Sequence, residues 1–260
     1  MRFKLLLKPK ENKIIIPFNH NRYIIAYLYG IFKMLQKEIK QKNETGLLPV
    51  IMKNLKYFTF SRIMIPLRKR IGSGFLMKCN KVHFFTSLMI PENFVERILN
   101  FFKSSIFYLG HPSRSFIVDE INVINEPNFE NFMKFRTLSP IKVSEKIRKS
   151  WGVKYLLPGD NSLKKRIREN IVARYKKIFG HEPEDKTFEF DIDKEYLESI
   201  GGVEKITRLI TIKNWRNKEL KIKAFDAHFT LRGNPELIKL AYITGIGESN
   251  HLGFGMIQQI

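Results

Sequence analysis

The sequence has little cysteine, few acidic residues and no long apolar segment. Cys79 is the single cysteine among 260 residues, which excludes an intrachain disulfide and a zinc site built on cysteines. No apolar run approaches the roughly 20 residues that a membrane-spanning helix needs. Residues 1–10 have the pattern of a β-strand and lack that of a secretion signal. These absences predict a soluble, cytoplasmic protein.

The shortage of acidic residues leaves a large positive charge. There are 25 Asp and Glu residues against 46 Lys and Arg, so the formal net charge is +21 and the pI is near 10.0. Such an excess favours a polyanionic partner, most simply nucleic acid. The alternative is the lysine-rich surface of a heat-adapted protein, but heat adaptation usually raises Glu together with Lys. We therefore predict a nucleic-acid partner.

Metal ligands are also scarce. The six histidines show no metal-binding spacing, and no paired-carboxylate signature of a two-metal nuclease occurs. Asp191 and Asp193 alternate along a predicted strand, but two carboxylates without further ligands make a weak metal site. We predict neither a metal nor another cofactor.

Glycine is concentrated near the C-terminal end, in residues 245–255 (Gly-Ile-Gly-Glu-Ser-Asn-His-Leu-Gly-Phe-Gly). Two Gly-x-Gly steps bracket a polar centre, which is typical of a loop shaped around another group. A dinucleotide-binding fingerprint would need a strand before the glycines and a helix after them. Here a predicted helix precedes the glycines and a strand follows them. The pattern therefore predicts a loop over a sheet, with its backbone N–H groups facing an extended anion.

The first half of the chain alternates between strand and helix patterns. A helix is predicted from Asn19 or Asn21 to about Lys40, with Ile24, Leu28, Ile31 and Leu35 on its buried face. The other predicted elements are strands at 2–8, 57–65, 81–88 and 116–124, a charged turn or flexible loop at 68–74, and a helix at 92–104. This order, βαββαβ, is the ferredoxin-like arrangement.

The second half repeats the cycle after a predicted linker at 126–134. A strand at 135–143 contains Pro140, which predicts an edge or bulged strand. A basic amphipathic helix at 162–179 precedes Gly180, a residue suited to a helix C-terminus. The remaining predicted elements are strands at 187–192, 206–215 and 220–232, a helix after Pro235 and a final strand. We therefore predict an α+β protein with two tandem ferredoxin-like (RRM-like) domains, 1–128 and 135–260.

Four stretches of this chain resemble a known family. The tail 245–257 resembles the C-terminal glycine loop of the sixth CRISPR-associated (Cas) protein family, which comprises precursor-crRNA endoribonucleases of the RAMP superfamily. Residues 1–3 (Met-Arg-Phe), 17–20 (Pro-Phe-Asn-His) and 137–141 (Thr-Leu-Ser-Pro-Ile) agree with it in the same order. The resemblance spans the whole chain and implies two ferredoxin-like domains.

The resemblance also implies a reaction and a partner. Family members bind CRISPR repeat RNA, and the 2′-OH beside the scissile phosphate attacks without a metal, giving a 2′,3′-cyclic phosphate and a 5′-OH. Many members use a tyrosine, a histidine and a lysine. Tyr29 fits the tyrosine position and Lys56 the lysine position, whereas Val50 stands where the histidine is expected.

Several alternatives follow from Val50. In the first, other polar groups substitute for the histidine. In the second, His20 or His83 supplies the proton. In the third, the chain binds repeat RNA without cutting it. A non-cutting chain could hold crRNA within an effector complex. A general RNA-binding protein with paired RRM-like domains is a further alternative, and a homodimer stays open.

The candidate RNA-binding residues are basic side chains and glycine-loop residues. Aromatic residues at 57, 58 and 60 could stack on bases, although only one face of that strand can do so. On the basic helix, Arg174 is one of several further cations. The predicted RNA-binding set is Lys53, Arg62, Arg68, Lys69, Arg70, Lys164, Lys165, Arg168, Gly245, Gly247, Asn250, His251, Gly253 and Gly255.

Overall fold

The computed structural model describes residues 1–44, 53–147, 152–213 and 219–260. The chain divides into two compact units, Met1–Glu126 and Pro127–Ile260. Helices and strands are mixed in both units. The α+β class predicted from the sequence is confirmed.

The first unit is built on a five-stranded antiparallel sheet with strand order β3-β6-β1-β8-β7. Two helices, α1 and α2, connect β1 to β3 and β6 to β8, which is the predicted ferredoxin-like βαββαβ path. A second sheet, in the order β2-β5-β4, lies outside this path. The elements are β1 (Arg2–Pro9), β2 (Ile15–Pro17), α1 (Asn21–Gln41), β3 (Phe58–Phe60), β4 (Arg68–Ile71), β5 (Gly74–Met77), β6 (Val82–Leu88), α2 (Val95–Ser104), β7 (Ile106–Tyr108) and β8 (Ser115–Ile124).

The core of this unit lies between the sheet and the two helices. Successive strand residues point to opposite faces, so Phe3, Leu5 and Leu7 of β1 face the helices and are fully buried. The predicted apolar stripe of α1 packs against them and is confirmed, with Leu28 and Leu35 fully buried. Arg2, Lys4 and Leu6 alternate with the core residues of β1 and therefore belong to the opposite face of the sheet.

The second unit has a four-stranded sheet in the order β12-β15-β9-β16. Helices α3 and α6 complete a second βαββαβ path, and two small hairpins, β10–β11 and β13–β14, are inserted into it. Its elements are β9 (Phe132–Thr137), β10 (Ser144–Lys146), β11 (Val153–Tyr155), α3 (Leu163–Phe179), β12 (Phe188–Ile192), α4 (Lys194–Ser199), α5 (Val203–Ile206), β13 (Thr207–Lys213), β14 (Glu219–Phe225), β15 (His228–Gly233), α6 (Pro235–Thr244) and β16 (Ile257–Gln259).

Two strand predictions in the second unit were wrong. The strand predicted at 135–143 is not an edge strand, because β9 pairs with β15 on one side and with β16 on the other. Pro140 lies beyond the end of β9, where no N–H group is needed for the ladder. The single strand predicted at 220–232 is two strands, β14 and β15, separated by residues 226–227. The two strands pair with different partners, β14 with β13 and β15 with β12 and β9.

Three predictions in the first unit also need correction. The strand at 57–65 is limited to β3, and Met64 makes only an isolated bridge to His83. Residues 68–74 are not a loop: they contain β4 and the turn into β5. Neither Asn19 nor Asn21 caps α1, since His20 occupies the cap position and its side chain makes no capping hydrogen bond.

The helices of both units are amphipathic or short. The longest helices described are α1 and α3, with 21 and 17 residues. Both carry lysines on the outer side and a buried apolar stripe on the inner side. Within the described ranges, no helix has the length and apolar character needed to cross a membrane.

His20 fastens the start of α1 to the segment that follows β3. Its Nδ1 lies 2.9 Å from the carbonyl oxygen of Pro17, and its Nε2 accepts a hydrogen bond from the backbone N–H of Ile63 at 3.1 Å. The side chain is buried, at 6% exposure. Burial lowers the pKa of His20 to about 4, and the positive charge of Arg62 acts in the same direction. The imidazole is therefore neutral at pH 7, with its proton on Nδ1.

This burial predicts acid-dependent stability. The folded-state pKa of His20 lies below its unfolded value of about 6.5, so the unfolded chain binds more protons below that pH. We expect His20 to contribute stability above pH 6.5 and to lose up to about 3 kcal/mol of it as the pH falls toward 4. Urea unfolding of the parent and of His20→Gln between pH 7 and pH 4 measures this. The difference in free energy of unfolding should shrink as the pH falls, and a constant difference would contradict the assignment.

Candidate functional site

Tyr29 lies on the outer side of α1 and is 44% exposed. Its ring stands edge-on against Phe58 of β3 and Phe32 of α1, with centroid distances of 5.8 and 5.9 Å. Both phenylalanines are buried, so they fix the ring. Within the described residues, the Tyr29 hydroxyl has no hydrogen-bond partner. It is therefore available to a ligand.

Tyr27 has the opposite environment, although it lies only two residues away. Its hydroxyl is 2.7 Å from Ser105 Oγ, and its ring packs on Phe102 and Phe107 in the core. Burial raises the pKa of Tyr27 well above its ordinary value. Of these two tyrosines, only Tyr29 presents its hydroxyl to a partner.

Lys56 is exposed and lies two residues before β3. A turn delivers it there, in which the N–H of Tyr57 donates to the carbonyl of Asn54 at 2.9 Å. The Tyr29 ring contacts Phe58, the first residue of β3, and Lys56 precedes that residue by two positions. Among the described residues, no carboxylate forms an ion pair with the Lys56 ammonium.

The structure contradicts the prediction that His20 is catalytic. Both of its ring nitrogens are engaged, with Pro17 and Ile63, and the ring is buried. It cannot transfer a proton to a bound ligand without breaking a contact that holds α1 in place. The sequence signal that pointed here, a histidine at a helix start, also fits this structural role.

His83, the other histidine considered as an acid, lies on the wrong face of the sheet. It pairs with Leu6 in the β1–β6 register, whereas its neighbour Phe84 is fully buried on the helix side. His83 therefore faces away from α1 and Tyr29. Its ring lies edge-on to Phe85, and burial lowers its pKa. Val50 lies outside the described residues, so its match to the histidine position remains a prediction.

The predicted aromatic platform on β3 is part of the core. Phe58 and Phe60 are 1% and 0% exposed, so neither can stack on a base. Tyr57, which precedes the strand, is half-buried. Phe58 and Phe60 therefore lie on the buried face of β3 and belong to the core, where Phe58 supports the Tyr29 ring.

The glycine loop, residues 245–255, connects α6 to β16 and folds closely on itself. Gly247 and Gly255 both have positive φ values, 76° and 69°. A Cβ atom on Gly255 would lie 1.9 Å from the carbonyl oxygen of Ile246, and one on Gly247 would lie 2.5 Å from that of Lys142. Only glycine fits at these two positions, because backbone passes where a side chain would be.

Arg174 of α3 holds the glycine loop from inside the second unit. Its guanidinium donates to the carbonyl oxygens of Gly245 and Gly247, the latter at 2.6 Å. The same group donates to Asn250 Oδ1 at 2.6 Å and to Thr244 Oγ1 at 2.9 Å. Arg174, a further cation of the basic helix in the sequence, is thus used to shape the loop.

A second network fastens the outer part of the loop. Glu248 accepts hydrogen bonds from the backbone N–H and the hydroxyl of Ser144, at 3.2 and 2.5 Å. Lys142 donates to Ser249 Oγ at 2.9 Å and lies 3.5 Å from Glu248. Asn170 of α3 contacts the same carboxylate at 3.4 Å. The loop is therefore fixed at both its glycine end and its polar centre.

The predicted RNA-binding role of Asn250 needs correction. Its side chain is buried, and its amide donates to the carbonyls of Ile246 and Phe254, both at 3.0 Å. Asn250 therefore braces the loop and is not free to bind RNA. His251 is exposed in the same loop. The backbone N–H groups of Gly247 and Ser249 have no acceptor within the described residues, but Gly247 is buried and only Ser249 is partly exposed.

The basic helix α3 offers fewer free cations than its sequence suggests. Lys164 pairs with Asp191 at 2.5 Å, and Lys165 lies 4.0 Å from Glu169. Arg168 is exposed and has no carboxylate partner in the part of the chain that the structure describes. In the first unit, Lys53 is exposed and Arg62 is half-buried near His20. Arg68, Lys69 and Arg70 form the exposed strand β4.

The two acidic residues that suggested a metal site have other partners. Asp193 caps α4 by accepting a hydrogen bond from the N–H of Tyr196 at 3.0 Å, while Asp191 pairs with Lys164. Across the described ranges, no group of three or more His, Cys, Asp or Glu side chains is arranged to hold a metal ion. Both aspartates therefore have structural roles.

The Arg174 contacts predict a specific stability effect. Arg174→Lys keeps the charge but cannot donate to four acceptors at once, so we expect the free energy of unfolding to fall by about 2–4 kcal/mol. Lys177→Gln removes an exposed cation from the same helix and should change it by less than about 0.5 kcal/mol. Urea unfolding measures both. Equal stability of the two variants would contradict the anchoring role.

Comparison with known proteins gives consistent results over the whole chain. An endoribonuclease-like Cas6 protein of Pyrococcus furiosus is 29% identical over 271 residues, covering 100% of this chain and 99% of that protein. The CRISPR-associated endoribonuclease Cas6 1 of Methanocaldococcus jannaschii is 26% identical, covering 100% and 93%. A solved structure from a Cas6-related gene of Pyrococcus furiosus matches with a TM-score of 0.78 at 25% identity, covering 100% and 98%.

The C-terminal half identifies the family directly. Residues 124–259, just over half of the chain, match the family described as CRISPR associated protein Cas6, C-terminal. This region includes the second βαββαβ unit and the glycine loop that Arg174 anchors. The chain belongs to the Cas6 family of CRISPR-associated proteins.

Proposed function

We propose that this chain is an endoribonuclease that binds CRISPR repeat RNA and cuts precursor crRNA. The observations that support the proposal are an exposed Tyr29, whose ring contacts Phe58 of β3, and an exposed Lys56 two residues before Phe58. Relatives named as CRISPR-associated endoribonucleases cover the full length of this chain, which supports the same activity.

The proposed reaction is an internal transfer that needs no metal. The 2′-oxygen forms a bond to the adjacent phosphorus while the bond from phosphorus to the 5′-oxygen breaks. The 2′-OH loses its proton to a base, and the leaving 5′-oxygen gains one. The products are a 2′,3′-cyclic phosphate and a 5′-OH. Catalysis therefore requires a base, an acid and a cation near the phosphate.

Tyr29 and Lys56 fit two of these roles. The Tyr29 oxygen, projecting from a fixed ring, accepts the 2′-OH proton, and the Lys56 ammonium stabilises the negative charge on the phosphorane. A tyrosine oxygen can accept this proton only after it has given up its own, so we expect it to be a slow base. Without a histidine, a solvent proton reaches the 5′-oxygen, and we expect slow cleavage.

The RNA backbone would be held by backbone donors of the glycine loop and by basic side chains. The N–H group of the half-buried Ser249 is a donor of the kind that binds phosphate oxygens, whereas Gly247 is buried and shapes the loop. Arg168 and His251 add exposed side chains in the same unit. Lys53 and Arg62 are the corresponding candidates in the first unit. The remaining glycines of the predicted set contribute by shaping the loop: Gly245, Gly253 and Gly255.

The test of this proposal is cleavage of end-labelled repeat RNA in EDTA. We expect the parent to cut at one position, leaving a cyclic phosphate that acid opens and a 5′ end that kinase labels directly. Tyr29→Phe should slow the single-turnover rate by about 10²-fold or more. Tyr108→Phe, which removes another exposed tyrosine hydroxyl, serves as the matched control and should not change it.

Two results would contradict the proposal. A strict requirement for Mg²⁺ would exclude the metal-free mechanism, and full activity of Tyr29→Phe would remove Tyr29 from it. Lys56→Ala tests the cation separately. Its effect should appear mainly in the single-turnover rate, since the charge that it stabilises develops only in the transition state.

A second candidate function is repeat-RNA binding without cleavage, as a holder of crRNA within an effector complex. A specific observation favours it: His20 is paired and buried, and His83 faces away from Tyr29. Neither histidine can serve as the acid there. Val50 stands where the resemblance predicts a histidine, and valine cannot donate a proton to the leaving 5′-oxygen. If that proton transfer is essential, the chain would bind repeat RNA and leave it intact.

Val50→His separates the two functions. If the parent cuts only slowly because it lacks an acid, this substitution should raise the single-turnover rate by about 10²-fold without changing repeat-RNA affinity. Val50→Asn is the control, because it adds a polar side chain of similar size that does not titrate. An unchanged rate in Val50→His would mean that another group already supplies the proton.

A further inference from the structure

A basic hairpin in the first unit has no role in the proposed chemistry. We call residues 68–77, which contain β4 and β5, the basic arm. β5 pairs with β2, and β4 forms its outer edge. All four residues of β4 are exposed, and three of them, Arg68, Lys69 and Arg70, are cations in succession. Within the described residues, no carboxylate pairs with these three side chains.

Two aromatic rings support the arginines of the arm. The guanidinium of Arg70 lies 5.2 Å from the ring centre of Phe18, and that of Arg68 lies 4.8 Å from the ring centre of Phe75. The two rings contact each other edge-on, 4.9 Å apart. The result is a continuous series of Arg70, Phe18, Phe75 and Arg68. Arg68 also donates from one guanidinium nitrogen to the carbonyl oxygen of Ile65 at 3.2 Å. The ring contacts orient both guanidinium groups without using their N–H donors.

The segment 17–20 fixes the arm to the start of α1. The N–H of Phe18 donates to the carbonyl of Ser73 in the turn of the arm, at 3.0 Å. His20 binds the N–H of Ile63, which precedes the arm in the chain. The Phe18 ring supports Arg70. This segment therefore orients the arm relative to the helix that bears Tyr29.

We propose that the basic arm binds the phosphate backbone of single-stranded RNA away from the cleaved bond. This inference rests on the proposed function and adds a contact region to it. Three unneutralised cations on an exposed edge are complementary to a chain of phosphates, and guanidinium groups bind phosphate oxygens in pairs. His20 is the cap residue of α1, and Tyr29 lies nine residues further on, which at a rise of 1.5 Å per residue is about 13 Å along the helix. We therefore assign the arm to phosphates other than the one beside Tyr29.

Removing the two arginine charges tests the proposal. Arg68→Gln/Arg70→Gln should weaken binding of single-stranded repeat RNA about tenfold or more in 150 mM salt. The slope of log K against log [salt] should become shallower by about 0.7 for each phosphate that is no longer neutralised, or about 1.4 in total. The single-turnover cleavage rate at saturating protein should not change. Lys40→Gln/Lys103→Gln removes the same charge from exposed helix positions and should leave affinity and slope near those of the parent.

Phe18→Leu tests whether the aromatic support matters. It keeps all three cations but removes the ring beneath Arg70. We expect a smaller decrease in affinity, about two- to fivefold, with the salt slope unchanged, because the number of charges available to phosphate is the same. Thermal unfolding of each variant shows whether the fold is retained. Arg68→Lys/Arg70→Lys should behave like Phe18→Leu, since lysine keeps the charge but does not have the planar group.

The outcomes separate this inference from the proposed function. Phosphate contacts carry no sequence information, so the arm should contribute equally to repeat RNA and to a scrambled RNA of the same length. If the parent cuts repeat RNA but the double arginine variant keeps its affinity and slope, the arm proposal is overturned and the function stands. If the parent neither prefers nor cuts repeat RNA, the function fails, and the scrambled RNA still reports on the arm. The arm proposal would also be overturned if the double arginine variant bound anionic lipid vesicles less well than the parent but bound RNA equally well.

Discussion

The guanidinium of Arg174 determines what the glycine loop can do. By accepting its hydrogen bonds, the carbonyl oxygens of Gly245 and Gly247 are turned toward the interior of the second unit. The N–H groups of Gly247 and Ser249 are left without protein partners among the described residues. A loop with free carbonyls would repel phosphate, whereas binding of these carbonyls by the half-buried Arg174 removes that repulsion. Arg174 would thus favour the proposed contact between the loop and RNA without touching the RNA.

His20 stabilises the first unit in a comparable way. In both units a polar side chain on or beside a helix holds an irregular segment through the backbone, and in both it resembles a functional residue in the sequence. The sequence shows that a histidine stands at a helix start and an arginine in a basic stripe. It does not show their hydrogen-bond partners, because tertiary packing brings those partners near. The sequence position of His20 therefore suggests catalysis, although its two nitrogens are held by Pro17 and Ile63.

The features predicted correctly depend on local periodicity. The buried stripe of α1, the glycine at the end of α3 and the repeated βαββαβ order all follow from spacing along the chain. The errors concern pairing between distant segments. Residues 226–227 break a continuous strand pattern because β14 and β15 join different partners, and β9 is central because both β15 and β16 come to it from far along the chain. Nothing in the local pattern of either segment encodes those partners.

The same distinction applies to the positive charge. A net charge of +21 indicates a polyanionic partner, but it does not say which cations meet it. Arg174 and Lys142 hold the glycine loop, and Lys164 is paired with Asp191. Arg168, Lys56 and the cations of β4 have no carboxylate partner within the described ranges. An ion-paired lysine releases few counterions from RNA. The number of cations without a carboxylate partner, and not the total number of Lys and Arg residues, should therefore determine how strongly salt weakens RNA binding.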